Sequence, residues 1–203
     1  VHAGARPDPV TGARGTPIYQ TTSFVFDDAE HGAELFNLQT FGYVYSRMTN
    51  PTVSVFEERV AQLEGGRGAV ATSSGHAAQF IAAATLMEAG DEFIASRNLY
   101  GGSVTQFGVS FPKLGWKCNF VDPTDPKNFE KAMNDKVKFI FCEGVANPGG
   151  IILDLEKIAE IANKHGVLLI VDNTLASPYL LRPFEWGADL VVHSTTKFIG
   201  GHG

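Results

Sequence analysis

The feature that most constrains the fold is a series of short, almost wholly apolar segments that alternate with helical patterns. The clearest are DEFIAS (91–96), KVKFIFCE (136–143) and VLLIVD (167–172). A strand without a polar face must be covered on both sides, and helices between successive strands allow those strands to run parallel. The sequence therefore predicts an α/β fold with a mostly parallel sheet covered by helices.

The remaining segments continue this alternation. Further strands are predicted at 68–73, 116–122 and 188–194, and further helices at 75–90, in the middle of 100–115, at 126–135 and at 155–166. The helix at 155–166 has the clearest pattern, with one apolar face formed by Leu155, Ile158, Ala159 and Ala162. Gly166 then provides a stop signal.

Residues 1–50 lack a clean period and are rich in proline, glycine and aromatic residues, which predicts an irregular or extended arm. The first firm helix follows this arm. Asn50 is a good N-cap, Pro51 suits the first helical position, and Gly65 can end the helix. The organisation predicted is an arm over 1–50 and an α/β domain over 51–203.

Composition narrows the classes of function. The chain has 203 residues and is 44% hydrophobic, which is enough for a buried core, and its net charge is −6. It has no Lys/Arg run, so neither nucleic acid nor an anionic membrane is an expected partner. Cys118 and Cys142 lack a metal-binding or redox spacing, the histidines are scattered, and no metal site is predicted. Without a visible signal peptide or long apolar run, a cytoplasmic protein is expected.

Ligands of open α/β sheets bind at the carboxyl ends of the strands, which makes the polar residues at those ends candidates for a site. They are Ser73 to Gly75, Glu143, Asp172 and Ser194 to Lys197. Gly75 opens a helix whose free N–H groups suit a phosphate, although the same turn could be merely structural. Neither a G-x-G-x-x-G nor a P-loop pattern is present.

Asp172 and Lys197 each allow two interpretations. Asp172 follows an apolar strand and could be a poorly solvated carboxylate that needs a cation, or simply a turn cap in DNT. Lys197 could be a surface lysine. No other charge accompanies it in STTKFIGG, however, and an ammonium destabilised in such a site favours the nucleophilic amine.

Taken together, these residues meet the requirements of pyridoxal 5′-phosphate. This cofactor needs a lysine for a Schiff base, an acid for its ring nitrogen and a phosphate cup. Lys197, Asp172 and Gly75 meet those needs. Ser194 and Thr196 could add hydroxyl donors, and the ring of Tyr100 could cover the cofactor.

The chain resembles the Cys/Met-metabolism family of fold-type I pyridoxal-phosphate enzymes. The matching segments, in family order over essentially all 203 residues, are PIYQTTSFVF, YSRMTNPT, SSGHAA, LYGG, E-x-x-x-NP, VDNT and HSTTKFIGGHG. The resemblance implies an aspartate-aminotransferase-like large domain over 51–203 that stops just after the catalytic lysine. The C-terminal domain would be absent from this chain, and the arm at 1–50 would reach a neighbouring subunit.

The resemblance also assigns roles to residues. Lys197 would bind the cofactor and move protons, Asp172 would keep its ring nitrogen protonated, and Tyr100 would stack on the ring and assist proton transfer. The other predicted cofactor contacts are Gly75, His76, Asn147, Ser194 and Thr196, with Tyr45 and Arg47 binding the phosphate of the neighbouring subunit. Glu143 matches a family position near the ring. A homodimer with shared active sites, paired into a homotetramer, is therefore expected.

The implied reaction is γ-replacement on O-acetyl-L-homoserine by sulfide or a thiol, giving homocysteine or methionine plus acetate. HAGARPDPVTGAR, ELFNLQ, His76 and PYLLRPFEWGADLVVHS favour that branch of the family. The same cofactor residues would also serve a cystathionine γ-synthase or a cystathionine or methionine γ-lyase. A non-catalytic α/β binding module and an inactive fragment remain alternatives, since the substrate-carboxylate arginine would lie in the missing domain.

Overall fold

A five-stranded parallel sheet organises the larger part of the protein. The computed structural model describes residues 2–201 and divides into two compact units, Val1–Ala71 and Thr72–Gly203. The strands are β1 (Glu92–Ser96), β2 (Lys117–Val121), β3 (Val137–Glu143), β4 (Leu168–Asp172) and β5 (Leu190–Val192). Their order is β2-β1-β3-β4-β5, with every neighbouring pair parallel. The predicted α/β class with a parallel sheet is confirmed.

Seven α-helices accompany the sheet in the described part of the chain. They are α1 (Ala29–Phe36), α2 (Pro51–Glu64), α3 (Gly75–Leu86), α4 (Gly101–Thr105), α5 (Lys127–Lys131), α6 (Leu155–His165) and α7 (Ser177–Leu180). Helix α4 continues through one turn of π-helix (Gln106–Ser110) and one of 3-10 helix (Phe111–Leu114). Within residues 2–201, no helix combines the length and apolarity needed to cross a membrane.

Both faces of the sheet carry a hydrophobic core. Successive residues of a strand point to opposite faces, so β3 sends Phe139 and Phe141 to one core and Ile140 and Cys142 to the other. The first core is rich in aromatic rings, and Phe93 stacks on Phe139 with ring centroids 4.7 Å apart. This two-sided burial is why the middle of β1, β3 and β4 is almost wholly apolar.

Local signals set the ends of two helices as predicted. The side chain of Asn50 accepts from the backbone N–H of Thr52 and caps α2, and Gly65 ends α2 in the left-handed region. Helix α6 buries the predicted apolar face, and Gly166 ends it with φ near +66°. These ends depend on contacts within a few residues, which is why the sequence predicts them.

Three predicted elements differ from the structure. Residues 68–73 form no strand, and the N–H of Ala71 donates to the carboxylate of Glu57 rather than to a neighbouring strand. The last strand is limited to Leu190–Val192 instead of 188–194. The segment 1–50 contains α1, whose N-cap Asp28 accepts from the N–H of His31, so it is not irregular throughout.

The order of the strands places a crevice beside β1. The chain passes from β1 outward to β2 and then returns to the other side of β1 to form β3. Loops that leave β1 and β3 therefore diverge, and ligands of open α/β sheets bind where this happens. Glu143 ends β3 and pairs in register with Asp172 at the end of β4.

Candidate active site

A cavity of about 820 Å³ lies among residues that follow the strands of Thr72–Gly203. Its lining contains every predicted site residue of this unit except Ser73 and Thr195. The lining residues are Ser74, Gly75, His76, Gln79, Tyr100, Glu143, Val145, Asn147, Asp172, Thr174, Leu175, Ser194, Thr196, Lys197, Phe198 and Gly201. Tyr45 and Arg47 belong to Val1–Ala71 and are not among them. Their predicted role in a neighbouring subunit stays a prediction.

The N-terminus of α3 presents free donors to this cavity. Ser74 caps the helix by accepting from the N–H of Ala77 at 3.1 Å. Within the described residues, the N–H groups of Gly75 and His76 have no protein acceptor. A Cβ on Gly75 would lie 2.9 Å from Cβ of Ser194, so glycine is what allows the helix to approach the Ser194 loop. Free helical N–H groups beside a hydroxyl form a site suited to a phosphate.

The carboxylate of Asp172 is held by two donors. The N–H of Thr174 donates to Oδ1 at 2.9 Å, and Nε2 of Gln79 donates to Oδ2 at 3.1 Å. The N–H of Ser194 donates in turn to Oγ1 of Thr174 at 2.8 Å, which joins the loops after β4 and β5. Asp172 is thus half-buried and oriented, as a partner for a cationic ring nitrogen would have to be.

Sequence reasoning missed Gln79. This residue lines the cavity, yet its segment predicts only a helix. The signal that could have found it is the spacing from Gly75, because a residue four positions into a helix shares a face with the first. Applied to Gly75, that rule directs attention to Gln79 as the next polar residue toward the site.

Tyr100 packs against the side chain of His76. The two rings lie with centroids 5.7 Å apart and an interplanar angle of 27°. A Cβ on Gly102 would come within 2.5 Å of His76 and 2.6 Å of Tyr100, so this glycine makes room for both rings. The Tyr100 side chain keeps about half of its surface exposed at the cavity, where it can cover a flat ligand.

Glu143 is a buried carboxylate that fixes two loops. Its Oε1 accepts from the N–H of Tyr100 at 2.6 Å, and its Oε2 accepts from the N–H of Asn147 at 2.8 Å. Burial raises the pKa of Glu143 to about 7, and the negative charge of Asp172 adds to the rise while the two backbone donors oppose it. In the structure, Glu143 connects two predicted cofactor contacts, Tyr100 and Asn147.

Lys197 lies at the cavity in a tight turn. Its N–H donates to the carbonyl of Ser194 at 3.3 Å, and its carbonyl accepts from the N–H of Gly200 at 3.1 Å. A Cβ on Gly200 would lie 2.6 Å from the carbonyl oxygen of Thr195, so the turn around Lys197 requires a glycine at this position. Lys197 is exposed among the described residues, and its predicted role as a nucleophilic amine stays a prediction.

Comparison with known proteins identifies the family. Residues 1–203 match the family described as Cys/Met metabolism PLP-dependent enzyme. The chain belongs to this family. A protein from Campylobacter jejuni, named as an O-acetylhomoserine (thiol)-lyase and solved with N′-pyridoxyl-lysine-5′-monophosphate, superposes on this chain with a TM-score of 0.96 at 39% identity. The superposition covers 100% of this chain and 50% of that one, which confirms the predicted fold type.

Relatives found by sequence have names that refer to O-acetylhomoserine or homocysteine. The chain is 51% identical over its whole length to the O-acetyl-L-homoserine sulfhydrylase of Leptospira meyeri. It is 49% identical over its whole length to the homocysteine synthase of Schizosaccharomyces pombe. It spans only 46% and 48% of these two relatives, a little under half of each.

The residues of the cavity fit the cofactor of this family. The N–H groups of Gly75 and His76, which have no acceptor among the described residues, and the hydroxyl groups of Ser194 and Thr196 line one cavity and would suit a phosphate. An oriented carboxylate and an accessible lysine amine are available in the same cavity, at Asp172 and Lys197. This set of donors, acid, amine and aromatic ring is the one that pyridoxal phosphate requires.

Proposed function

We propose that the full-length protein is a pyridoxal-phosphate-dependent transferase that replaces the acetoxy group of O-acetyl-L-homoserine by sulfide or a thiol. The products are homocysteine or methionine, and acetate. The observation that carries this proposal is one cavity that holds Lys197, Asp172 and the α3 N-terminus. Support for the substrate comes from relatives about half identical to this chain that are named for O-acetylhomoserine or homocysteine.

The predicted site residues of the cavity have distinct roles in the proposed reaction. When bound, pyridoxal phosphate supplies an electron sink for negative charge that develops on the substrate. Nζ of Lys197 would hold the cofactor covalently and would carry a proton at the substrate carbon that bears the amino group. Asp172 accepts a hydrogen bond from a protonated ring nitrogen, and its two donors fix the direction of that bond.

The remaining residues bind and shield. The N–H groups of Gly75 and His76 and the hydroxyl groups of Ser194 and Thr196 bind the phosphate. Tyr100 covers one face of the ring and excludes water from it, and its hydroxyl serves proton transfer at the leaving group. Asn147 binds the side of the ring that carries its hydroxyl group.

The proposal includes an assembly. Tyr45 and Arg47 bind the cofactor phosphate of a neighbouring subunit in a homodimer, and two dimers form a homotetramer. The arm at 1–50 reaches that subunit, 51–203 forms the cofactor-binding domain, and the protein acts in the cytoplasm. Support comes from the segment YSRMTNPT, whose resemblance to the family implies this role for Tyr45 and Arg47.

The test uses the complete protein with O-acetyl-L-homoserine and sulfide. Homocysteine and acetate should form in equal amounts, and Lys197→Ala should abolish both turnover and the borohydride-stable attachment of the cofactor. Cystathionine and methionine serve as competing substrates, because a γ-lyase would consume them without added sulfide. A purified protein that takes up no pyridoxal phosphate would contradict the enzyme assignment and leave a binding module.

A further inference from the structure

The amide of Gln79 makes two side-chain contacts from a buried position. Nε2 donates to Oδ2 of Asp172 at 3.1 Å and to Oγ of Ser103 at 3.0 Å. Gln79 is only 5% exposed and Ser103 is fully buried, so their mutual contact is shielded from water, whereas Asp172 is half-buried at the cavity. Nε2 therefore donates both of its hydrogens to protein groups, one to a carboxylate and one to a hydroxyl group.

The orientation of this amide is determined by its neighbours. A reversed amide would place its carbonyl oxygen against the carboxylate of Asp172 and would lose the donor to that group. Oε1 of Gln79 is buried without a hydrogen-bond partner among the described residues. With Nε2 toward Asp172, the carbonyl oxygen of the Gln79 side chain is buried without a partner, which costs free energy. The hydrogen bond from Nε2 to the carboxylate of Asp172 offsets this cost, because hydrogen bonds to charged groups are stronger than those between neutral groups.

Through these contacts, Gln79 joins three elements of the site. It belongs to α3, whose N-terminus presents the free N–H groups. Asp172 ends β4, and Ser103 belongs to α4, which begins directly after Tyr100. A change at Gln79 would therefore act directly on Asp172 and, through Ser103, on the helix that follows Tyr100.

We propose that Gln79 is a positioning residue that holds Asp172 and the helix after Tyr100 in one fixed relation to a bound pyridine ring. This inference rests on the proposed function, since it concerns the partner of the ring nitrogen. Gln79 orients Asp172 from the side opposite to Thr174, and the two donors together fix the plane of the carboxylate. No proton transfer is assigned to Gln79 itself.

Two substitutions in the full-length holoprotein separate positioning from simple packing. Gln79→Met keeps the length and volume of the side chain but removes the donor. Gln79→Glu restores a donor only while the introduced carboxyl group is protonated, and its ionised form repels Asp172. The ionisable groups that face the cavity around this position are His76, Tyr100, Glu143, Asp172 and Lys197. Dissociation constants for pyridoxal phosphate are measured from pH 5.5 to 8.5, each relative to wild type at the same pH.

Gln106→Met is the matched control. Its Nε2 donates to the carbonyl oxygen of His76 at 3.0 Å and its Oε1 is also buried without a partner, but it does not touch Asp172. Gln79→Met should raise the dissociation constant about tenfold at every pH, as expected for a lost hydrogen bond to a charged group. Gln106→Met should raise it about threefold, as for a neutral hydrogen bond.

Gln79→Glu should bind progressively more weakly, relative to wild type, as the pH rises. The inference would be overturned if Gln79→Met bound pyridoxal phosphate as tightly as wild type. It would also be overturned if the dissociation constant of Gln79→Glu, divided by that of wild type, did not change with pH. The proposed function would stand in either case. If Gln79→Met fails to fold, the pH series of Gln79→Glu alone decides. Wild-type protein that binds no pyridoxal phosphate would instead refute the proposed function, and the inference with it.

Discussion

Oε1 of Glu143 lies 2.6 Å from the backbone nitrogen of Tyr100, and this contact connects the end of β3 to the loop after β1. The second oxygen of the same carboxylate accepts from Asn147. Two residues predicted from sequence to touch the cofactor ring are thus held by their main chain from one buried acid. The position of the Tyr100 ring depends on a group that needs no contact with the cofactor.

Glu143 should make the stability of the full-length protein depend on pH. Its pKa is about 7 in the folded protein against an ordinary value of 4.5, because burial disfavours the charged form. Between these two values the folded state binds more protons than the unfolded state, so the free energy of unfolding falls as the pH rises through this interval. The contribution is fully present below pH 4.5 and lost above pH 7.

The Glu143→Gln variant isolates this effect. The free energy of unfolding of wild type minus that of the variant should decrease by on the order of 2 to 3 kcal/mol from pH 4 to pH 8. Urea unfolding at a series of pH values measures the difference. A difference that is constant with pH would mean that Glu143 has the same protonation state in both forms of the chain.

Gly75→Ala should weaken cofactor binding. The added Cβ would lie 2.9 Å from Cβ of Ser194 and 3.2 Å from its Cα, so the α3 N-terminus and the Ser194 loop must separate. We expect a cost of about 1 to 3 kcal/mol in the binding of pyridoxal phosphate, as for other overpacked contacts.

Gly101→Ala is the control for that change. Gly101 also begins a helix, and a Cβ there meets nothing within 4 Å. Fluorescence titration with pyridoxal phosphate compares the two variants. Equal affinities would show that the close approach of Gly75 to Ser194 is not needed for the phosphate site.

His76 should support the ring of Tyr100. His76→Ala removes the stacked ring and should raise the dissociation constant of pyridoxal phosphate roughly twofold to tenfold, the range of an aromatic contact. His76→Phe keeps a flat ring and should bind like wild type. The same titration applies, and the visible circular dichroism of the bound cofactor reports the ring geometry. A loss of affinity in His76→Phe as large as in His76→Ala would assign the effect to the imidazole nitrogens instead.

Cys142 should be inert toward thiol reagents in the native protein. It is fully buried in β3, and burial raises its pKa far above the ordinary range, so the reactive thiolate does not form. Alkylation followed by peptide mass mapping should leave Cys142 unmodified in buffer and modify it in denaturant. Modification in buffer at the rate seen in denaturant would contradict the buried position.

Sequence reasoning worked where a structure is set by neighbouring residues or by a strong burial pattern. The strands β1 to β4 and α6 fall within a residue or two of their predicted bounds, because their apolar runs and caps are local. The strand predicted at 68–73 is absent because a strand also requires a partner strand. The apolar pattern of a single segment cannot show whether another strand pairs with it.

The candidate site was predictable to a similar degree. Asp172 and Lys197 follow from the rule that ligands bind at strand ends, and both line the cavity. The contacts of Gln79 with Ser103 and Asp172, and the contact of Glu143 with Tyr100, join residues 24 to 93 positions apart in the chain. Spacing from Gly75 can place Gln79 on the site face of α3, but its partners, and the contact of Glu143 with Tyr100, arise only from the folded arrangement.

The alternation of Phe139 and Phe141 with Ile140 and Cys142 has a consequence for protein engineering. The side chains that hold β3 in place all lie before Glu143, whereas those offered to a ligand lie at or after it. The strand therefore separates the residues that a designer must preserve from those that can be varied. Libraries confined to the loops after β1, β3, β4 and β5 could explore new substrates on an unchanged scaffold.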